Sequence, residues 1–297
     1  MKLYREPELD KPVMICGWSG IGKVGLVAVN TMRRLARAVD FAAIEPYRYF
    51  EPSHVVIRDG RVKEMRFPTT RLYSYRRGDT DIVFVVGEEQ PATSEKACQM
   101  AAEVLDAAEG FGCQRIYTSA ASVATIHHTS KPRVWVVPND YALIPEIRKY
   151  GNTVLMSEVG GGDGDGIISG LNGLLLGAAQ SRGIEAVCLM GEVPYYLQGA
   201  PWPYPKASIS VIEVLSRIVN LPLDLSDLQK EATKVEANIE HVLDTLAHAE
   251  ALPEQVRAEM ESLRNPQPDL GPITDTEKRE ILEHIDDLFK GENSHGP

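Results

Sequence analysis

Over the first 220 residues, short β-branched runs alternate with stretches of helical periodicity, the pattern of a sheet covered by helices on both faces. Val13–Cys16 reads as a short buried strand running into a glycine loop, and apolar positions then recur at helical spacing over Gly25–Ala38. Val39–Ile44 predicts the next strand. His54–Ile57 and Arg61–Phe67 flank Asp59-Gly60, a hairpin-turn dipeptide. Arg71–Arg76 alternates polar and apolar residues, and the apolar run Asp81–Val86 suits the centre of a sheet buried on both sides. A helix over Thr93–Ala108, strands at Arg115–Thr118 and Arg133–Val137, a small-residue helix over Ile167–Ala179 and a buried strand at Ala186–Met190 complete the body.

From Leu221 the pattern is helical alone. Leu225, Leu228, Ala232, Val235, Ile239, Val242 and Leu246 form a seam spaced by threes and fours. Such a seam either docks on its own domain or meets a helix of another chain. Arg264–Ile273 is rich in proline and reads as a linker. Ile281, Leu282, Ile285, Leu288 and Phe289 line one face of a final helix, capped by Thr274 or Thr276. The organisation expected is an α/β body over 1–220, amphipathic helices packed on it over 221–264, and a Pro-rich linker with a C-terminal helix over 265–297.

Charge divides the chain at the same place. Residues 221–297 hold 18 Asp and Glu against 7 Lys and Arg, whereas residues 1–220 hold 24 of each, so the net charge of −11 belongs to the helical extension. An acidic extension repels phosphate backbones, which argues against nucleic acid as a partner. No run of 18 apolar residues is present and the N-terminus lacks the apolar segment of a secretory signal, so no membrane association is expected. Cys16, Cys98, Cys113 and Cys188 are scattered without a C-x-x-C pair. They read as free thiols of a cytoplasmic protein.

Candidate chemistry concentrates in Gly17-Trp18-Ser19-Gly20-Ile21-Gly22-Lys23-Val24-Gly25, which matches three motifs in part. Gly20, Gly22 and Gly25 have dinucleotide-fingerprint spacing, with Glu45 further on, but the segment after Glu45 does not continue as a βα unit. Gly17, Gly22 and Lys23 match a P-loop, yet Val24 stands where a hydroxyl must reach Mg²⁺. The nucleophile-elbow pattern fails at Ile21. The plainest reading is that these glycines let a tight turn pack against the sheet.

Elsewhere, Asp163 and Asp165 in the run Gly160–Gly166 lack the further oxygen ligands a Ca²⁺ loop needs. His127 and His128 are adjacent rather than one helical turn apart, and His241 and His248 lack a metalloprotease context. All seven histidines therefore read as structural or solvated, and no metal is expected. The basic stretch from Arg58 to Arg77 carries Phe67, Tyr73 and Tyr75, but its interspersed acids suit a solvated sheet edge better than an RNA platform.

Glu88 and Gln90 follow the central strand, and Glu192 and Lys206 follow a later one, where α/β folds place their functional crevice. Together with Gly17, Gly20, Gly22, Lys23 and Gly25 they are the ligand-binding candidates. No nucleophile–base pair stands out, so no catalytic residue is assigned. Tyr195, Tyr196, Trp202 and Tyr204 would be an apolar liability on a monomer and are the interface candidates.

Several segments in fixed order resemble the proteasome assembly chaperone family in its prokaryotic branch: Gly17–Gly25, Gly87-Glu88-x-Gln90-Pro91, Gly170-x-x-Gly173-Leu174-Leu175-Leu176, Arg182-Gly183-Ile184-x-Ala186, Leu189-x-Gly191-Glu192-x-Pro194-Tyr195, Pro205-Lys206-Ala207 and the helix after Leu223-Asp224-Leu225. The resemblance covers about residues 12–245. It implies a three-layer α/β/α sandwich of the phosphorylase/hydrolase-like type, no catalytic apparatus, no cofactor, and self-assembly, with a trimer as the usual bacterial form. Archaeal relatives dock on proteasome rings through a C-terminal hydrophobic-Tyr-any-residue tail. This chain ends Ser294-His295-Gly296-Pro297, which does not match. The expected function is that of a non-enzymatic, assembly-chaperone-like homo-oligomer. The alternative is a nucleotide- or phosphate-binding enzyme that uses the Gly17–Gly25 loop.

Overall fold

The computed structural model describes residues 1–77, 80–156, 166–248 and 254–264. Its strands are β1 (Lys2–Leu3), β2 (Val13–Trp18), β3 (Val39–Ile44), β4 (His54–Arg58), β5 (Arg61–Arg66), β6 (Thr70–Arg77), β7 (Thr80–Gly87), β8 (Arg115–Ala124), β9 (Val134–Pro138), β10 (Thr153–Leu155) and β11 (Ala186–Pro194). The helices are α1 (Val24–Leu35), α2 (Ser94–Gly110), α3 (Ile144–Ile147), α4 (Gly170–Ser181), α5 (Pro205–Ile218), α6 (Ser226–His248) and α7 (Glu254–Arg264).

Nine strands form one sheet in the order β1-β3-β6-β7-β2-β8-β11-β9-β10. The middle, β7-β2-β8-β11, is parallel throughout, and β1, β3 and β6 extend it antiparallel on one side. Alternation along β7 shows why both faces are covered. Ile82, Phe84 and Val86 enter one apolar cluster with α1, α5 and α6, while Val83 and Val85 enter a second with α2 and α4. Helix, sheet, helix: the three-layer α/β/α sandwich is present, with the helical extension on the α1/α5 face.

Where elements end differs from the sequence pattern for local reasons. α1 stops at Leu35 rather than Ala38, because Arg37 takes a positive φ. α4 begins at Gly170 rather than Ile167, since Gly170 has φ +75° and cannot lie inside a helix. β8 runs six residues past the expected end, through Ser119, Ala120, Ala121 and Ser122, and pairs in parallel with β11 along its whole length. Small side chains disguise that stretch as loop. On one face Ser119 and Ala121 leave room for α1, while Ala120 packs on the α2/α4 side.

The heptad seam of α6 turns inward. Leu228, Ala232 and Ile239 are buried against the body and only Val242 is exposed, so the helix docks on its own domain. The expected linker and final helix over 265–297, and Asp163 and Asp165, lie outside the described residues. Among the described residues the hairpin β4–β5 pairs only with itself, apart from the main sheet, and every residue of β5 is exposed.

Candidate functional site

β2 delivers the chain into the glycine loop, and two backbone approaches account for its composition. A Cβ on Gly17 would lie 2.4 Å from the carbonyl oxygen of Gly25, and one on Gly25 would lie 2.0 Å from that of Ser119 on β8. Both glycines are there so that α1 can rest on the sheet without a gap. Gly22 takes φ +55°, and its carbonyl accepts a hydrogen bond from the Tyr204 amide at 2.8 Å, which seats the start of α5 on the loop. Lys23 points its side chain outward and is exposed. Gly20 sits beside the Gln90 amide.

The polar candidates each have their own partners. Glu88 accepts from the Thr69 amide at 2.8 Å. Gln90 is a bracket: its Nε2 donates to the Ser19 carbonyl at 2.7 Å and its Oε1 accepts from the Leu171 amide at 2.7 Å, tying the glycine loop to the first turn of α4. Replacing Gln90 by leucine keeps the volume but strands the Leu171 amide. The expected cost is about 1–3 kcal/mol, read as a lower denaturant midpoint with an unchanged slope.

Glu192 is fully buried and accepts from the Arg133 amide at 2.8 Å, from Arg133 Nε at 3.0 Å and from Trp135 Nε1 at 2.9 Å. Lys206 donates to the carbonyls of His128 and Thr129 at 2.9 and 2.7 Å and pairs with Glu236 on α6. Among the described residues no hydrogen bond or ion pair joins Glu88, Glu192 and Lys206 to one another.

The four aromatic candidates divide. Tyr195 and Tyr204 are buried in the protein's own core, while Tyr196 and Trp202 are partly exposed. Tyr204 donates to the His128 carbonyl at 3.2 Å. Tyr196 Oη accepts from the His128 amide at 2.8 Å and lies 2.8 Å from His128 Nδ1. Much of this segment's aromatic surface is thus spent on holding the β8–β9 loop.

That loop carries a group that helical spacing rules pass over. His127 and His128 are both buried, their rings 4.1 Å apart between centroids. From α6, Glu240 brings Oε1 to 3.0 Å from His128 Nε2, and Arg264 of α7 donates to both Glu240 oxygens at 3.1 Å. Burial, then the neighbouring His128 and Arg264, pushes His127 down to about 4, so it is neutral at physiological pH. Burial also lowers His128, against the pull of Glu240. Partial burial would raise Glu240, but His128 and Arg264 outweigh it and hold the carboxyl below its ordinary range.

Residues 14–243 match the model of the PAC2 family. The chain belongs to the PAC2 family. An uncharacterized protein of Methanocaldococcus jannaschii, MJ1210, is 26% identical over 235 residues, covering 79% of this chain and 84% of that protein. Pyrococcus furiosus PbaB, an archaeal proteasome activator, shares 25% identity and superimposes with a TM-score of 0.69 over 81% of this chain and 96% of its own. P. furiosus PbaA, an archaeal homolog of proteasome-assembly chaperone, shares the fold at 20% identity and a TM-score of 0.63, over 89% of this chain and 99% of its own.

The PAC2 match bears out the resemblance carried by the glycine loop and the segments after it. It extends through most of α6 to just beyond Glu240. The docked part of the acidic extension is therefore PAC2 domain, and so are the histidine loop and every polar candidate named above. No helix among the described residues is long and apolar enough to cross a membrane.

Proposed function

We propose that this PAC2 protein is a non-enzymatic, assembly-chaperone-like factor that works as a homo-oligomer, with the trimer that the family resemblance implies as its expected form. The observation that carries the reading is an apolar face on an arm. In β4–β5 the cross-strand pairs Val55–Met65 and Ile57–Val62 lie together, at 47%, 59%, 66% and 72% exposure respectively. A two-stranded hairpin with an uncovered apolar face is marginal in water, and a second copy of the chain is the cover that suits it. Arg58, Arg61, Lys63 and Arg66 outnumber Asp59 and Glu64 on this arm, while the excess acid of the chain lies in its helical extension. The arm of one copy and the acidic helices of the next are complementary in sign. PbaB and PbaA, as a proteasome activator and a homolog of an assembly chaperone, support a ring-forming protein as the client.

Light scattering tests the self-association. Wild type is expected to run at three times the 32.8 kDa chain mass, and Ile57→Glu with Val62→Glu at the single-chain mass. A wild type at the single-chain mass at micromolar concentration removes the oligomer. The assembly role is tested separately, by following ring formation of co-purified proteasome α and β subunits with and without the protein. Faster or fuller assembly supports the proposal, and an unchanged course removes it.

A further inference from the structure

Adjacent residues in an extended chain point to opposite sides, so two neighbouring histidines do not ordinarily serve one site. Here the backbone turns at that point, with the Ser130 amide donating to the His127 carbonyl at 2.9 Å, and both rings come to lie side by side. Glu240 reaches the same place from α6, and one donor atom from each of the three residues falls within 4.8 Å of the others.

The hydrogen bonding around the rings fits a metal centre. His127 Nδ1 lies 2.7 Å from Thr129 Oγ1 and His128 Nδ1 lies 2.8 Å from Tyr196 Oη. With Nδ1 donating to Tyr196 Oη, His128 presents Nε2; His127 Nδ1 also accepts from the Thr129 amide at 3.3 Å, and moving its proton to Nδ1, toward Thr129 Oγ1, exchanges that long bond for a free Nε2. Outer hydrogen bonds of this kind fix the tautomer and orientation of histidine ligands. The decisive detail is at His128 Nε2. It is buried and 3.0 Å from Glu240 Oε1, close to the spacing of two ligands on one ion. Bond lengths to zinc of about 2.0–2.2 Å place neighbouring ligand atoms about 3.3 Å apart in a tetrahedron and slightly closer in wider shells.

We propose that His127, His128 and Glu240 form a binding site for a divalent first-row transition metal, with Zn²⁺ the best match and one position left to water. Two imidazoles and a carboxylate are a zinc-type donor set, whereas Mg²⁺ and Ca²⁺ take oxygen ligands. Two ligands come from the β8–β9 loop and the third from α6, so the ion clasps the acidic extension to the body. Arg264 competes for the same carboxylate. Its side chain is 46% exposed and also pairs with Glu261, so it can give way to the ion without being buried alone.

The full-length chain, stripped with chelator and dialysed, is titrated calorimetrically with Zn²⁺ and, in parallel, with Co²⁺ followed by visible absorption. One ion per chain and the strong cobalt bands of a low-coordinate histidine site are expected. Glu240→Gln and His127→Asn should each weaken binding at least ~100-fold, and Tyr196→Phe ~10-fold. Thermal unfolding keeps the test clear of misfolding: Zn²⁺ should raise the wild-type midpoint and leave the Glu240→Gln midpoint where it is. Absence of Zn²⁺ and Co²⁺ binding, or binding that both ligand substitutions leave unchanged, overturns the site.

Discussion

Gly25→Ala is expected to destabilise the protein by on the order of 3 kcal/mol, while Lys23→Ala, two residues away, changes stability by less than ~0.5 kcal/mol. One methyl group makes the difference because of where it must go. On Gly25 it lands 2.0 Å from the Ser119 carbonyl oxygen, a backbone atom in the middle of the sheet that no side-chain rotation can move. α1 would have to lift off β8, and with it Val24, Ala28, Val29 and Met32, all fully buried. Lys23 keeps its left-handed backbone in the alanine variant and loses only an exposed side chain. Urea unfolding followed by far-UV circular dichroism reads both effects as shifts of the midpoint at constant slope. A phosphate-binding loop would behave the other way. If Lys23→Ala abolished binding of a nucleotide or inorganic phosphate to the folded protein, the packing account of the loop would fall.

That loop also marks how far the sequence can be read. Glycines spaced for a turn beside a buried strand locate β2, the loop and α1 correctly, because the spacing of close contacts is local. Apolar runs, period-two alternation, helical spacing and a turn dipeptide do as well for β3, β7, α2 and the hairpin, because each of these signals is local. The tail of β8 escapes because its small residues fit between two layers, Ser119 and Ala121 under α1 and Ala120 on the α2/α4 side, contacts that no local pattern reveals. Pairwise convergence escapes for the same reason. Glu88 follows the end of β7, whereas β11 runs on past Met190 to Pro194 and so holds Glu192 inside the strand, and Lys206 lies in the first turn of α5; each bonds to its own neighbours. His127 and His128 look inert when judged by spacing on one helix. A turn and a residue from α6 bring the third group to them, and the only trace in the sequence is that Glu240 lies on the helix whose apolar seam docks inward. Tyr195 and Tyr204 are legible as large apolar residues, but not which surface they cover.

Glu192→Ala is expected to cost about 2–4 kcal/mol, because it leaves the buried Trp135 indole N–H and the Arg133 amide without an acceptor and the partly exposed Arg133 guanidinium without its carboxylate. The carboxylate sits on β11 with no exposure, and three donors converge on it: the Arg133 amide, Arg133 Nε and Trp135 Nε1. Truncation leaves all three facing a void in the region where β9 runs antiparallel to β11. Glu192→Gln should cost less, about 1–3 kcal/mol, because the amide keeps one acceptor oxygen but turns its own donors toward groups that can only donate. Trp135 is a built-in reporter, since its indole N–H loses its acceptor in the alanine variant. Its emission should shift in the folded state before any unfolding begins, and the midpoint should fall in the order wild type, glutamine, alanine. The two variants therefore separate an architectural carboxylate from a working one. A glutamine variant as stable as wild type, with the Trp135 signal unmoved but client or ligand binding lost, would mean that Glu192 serves the function directly and that its three bonds form only in the resting protein.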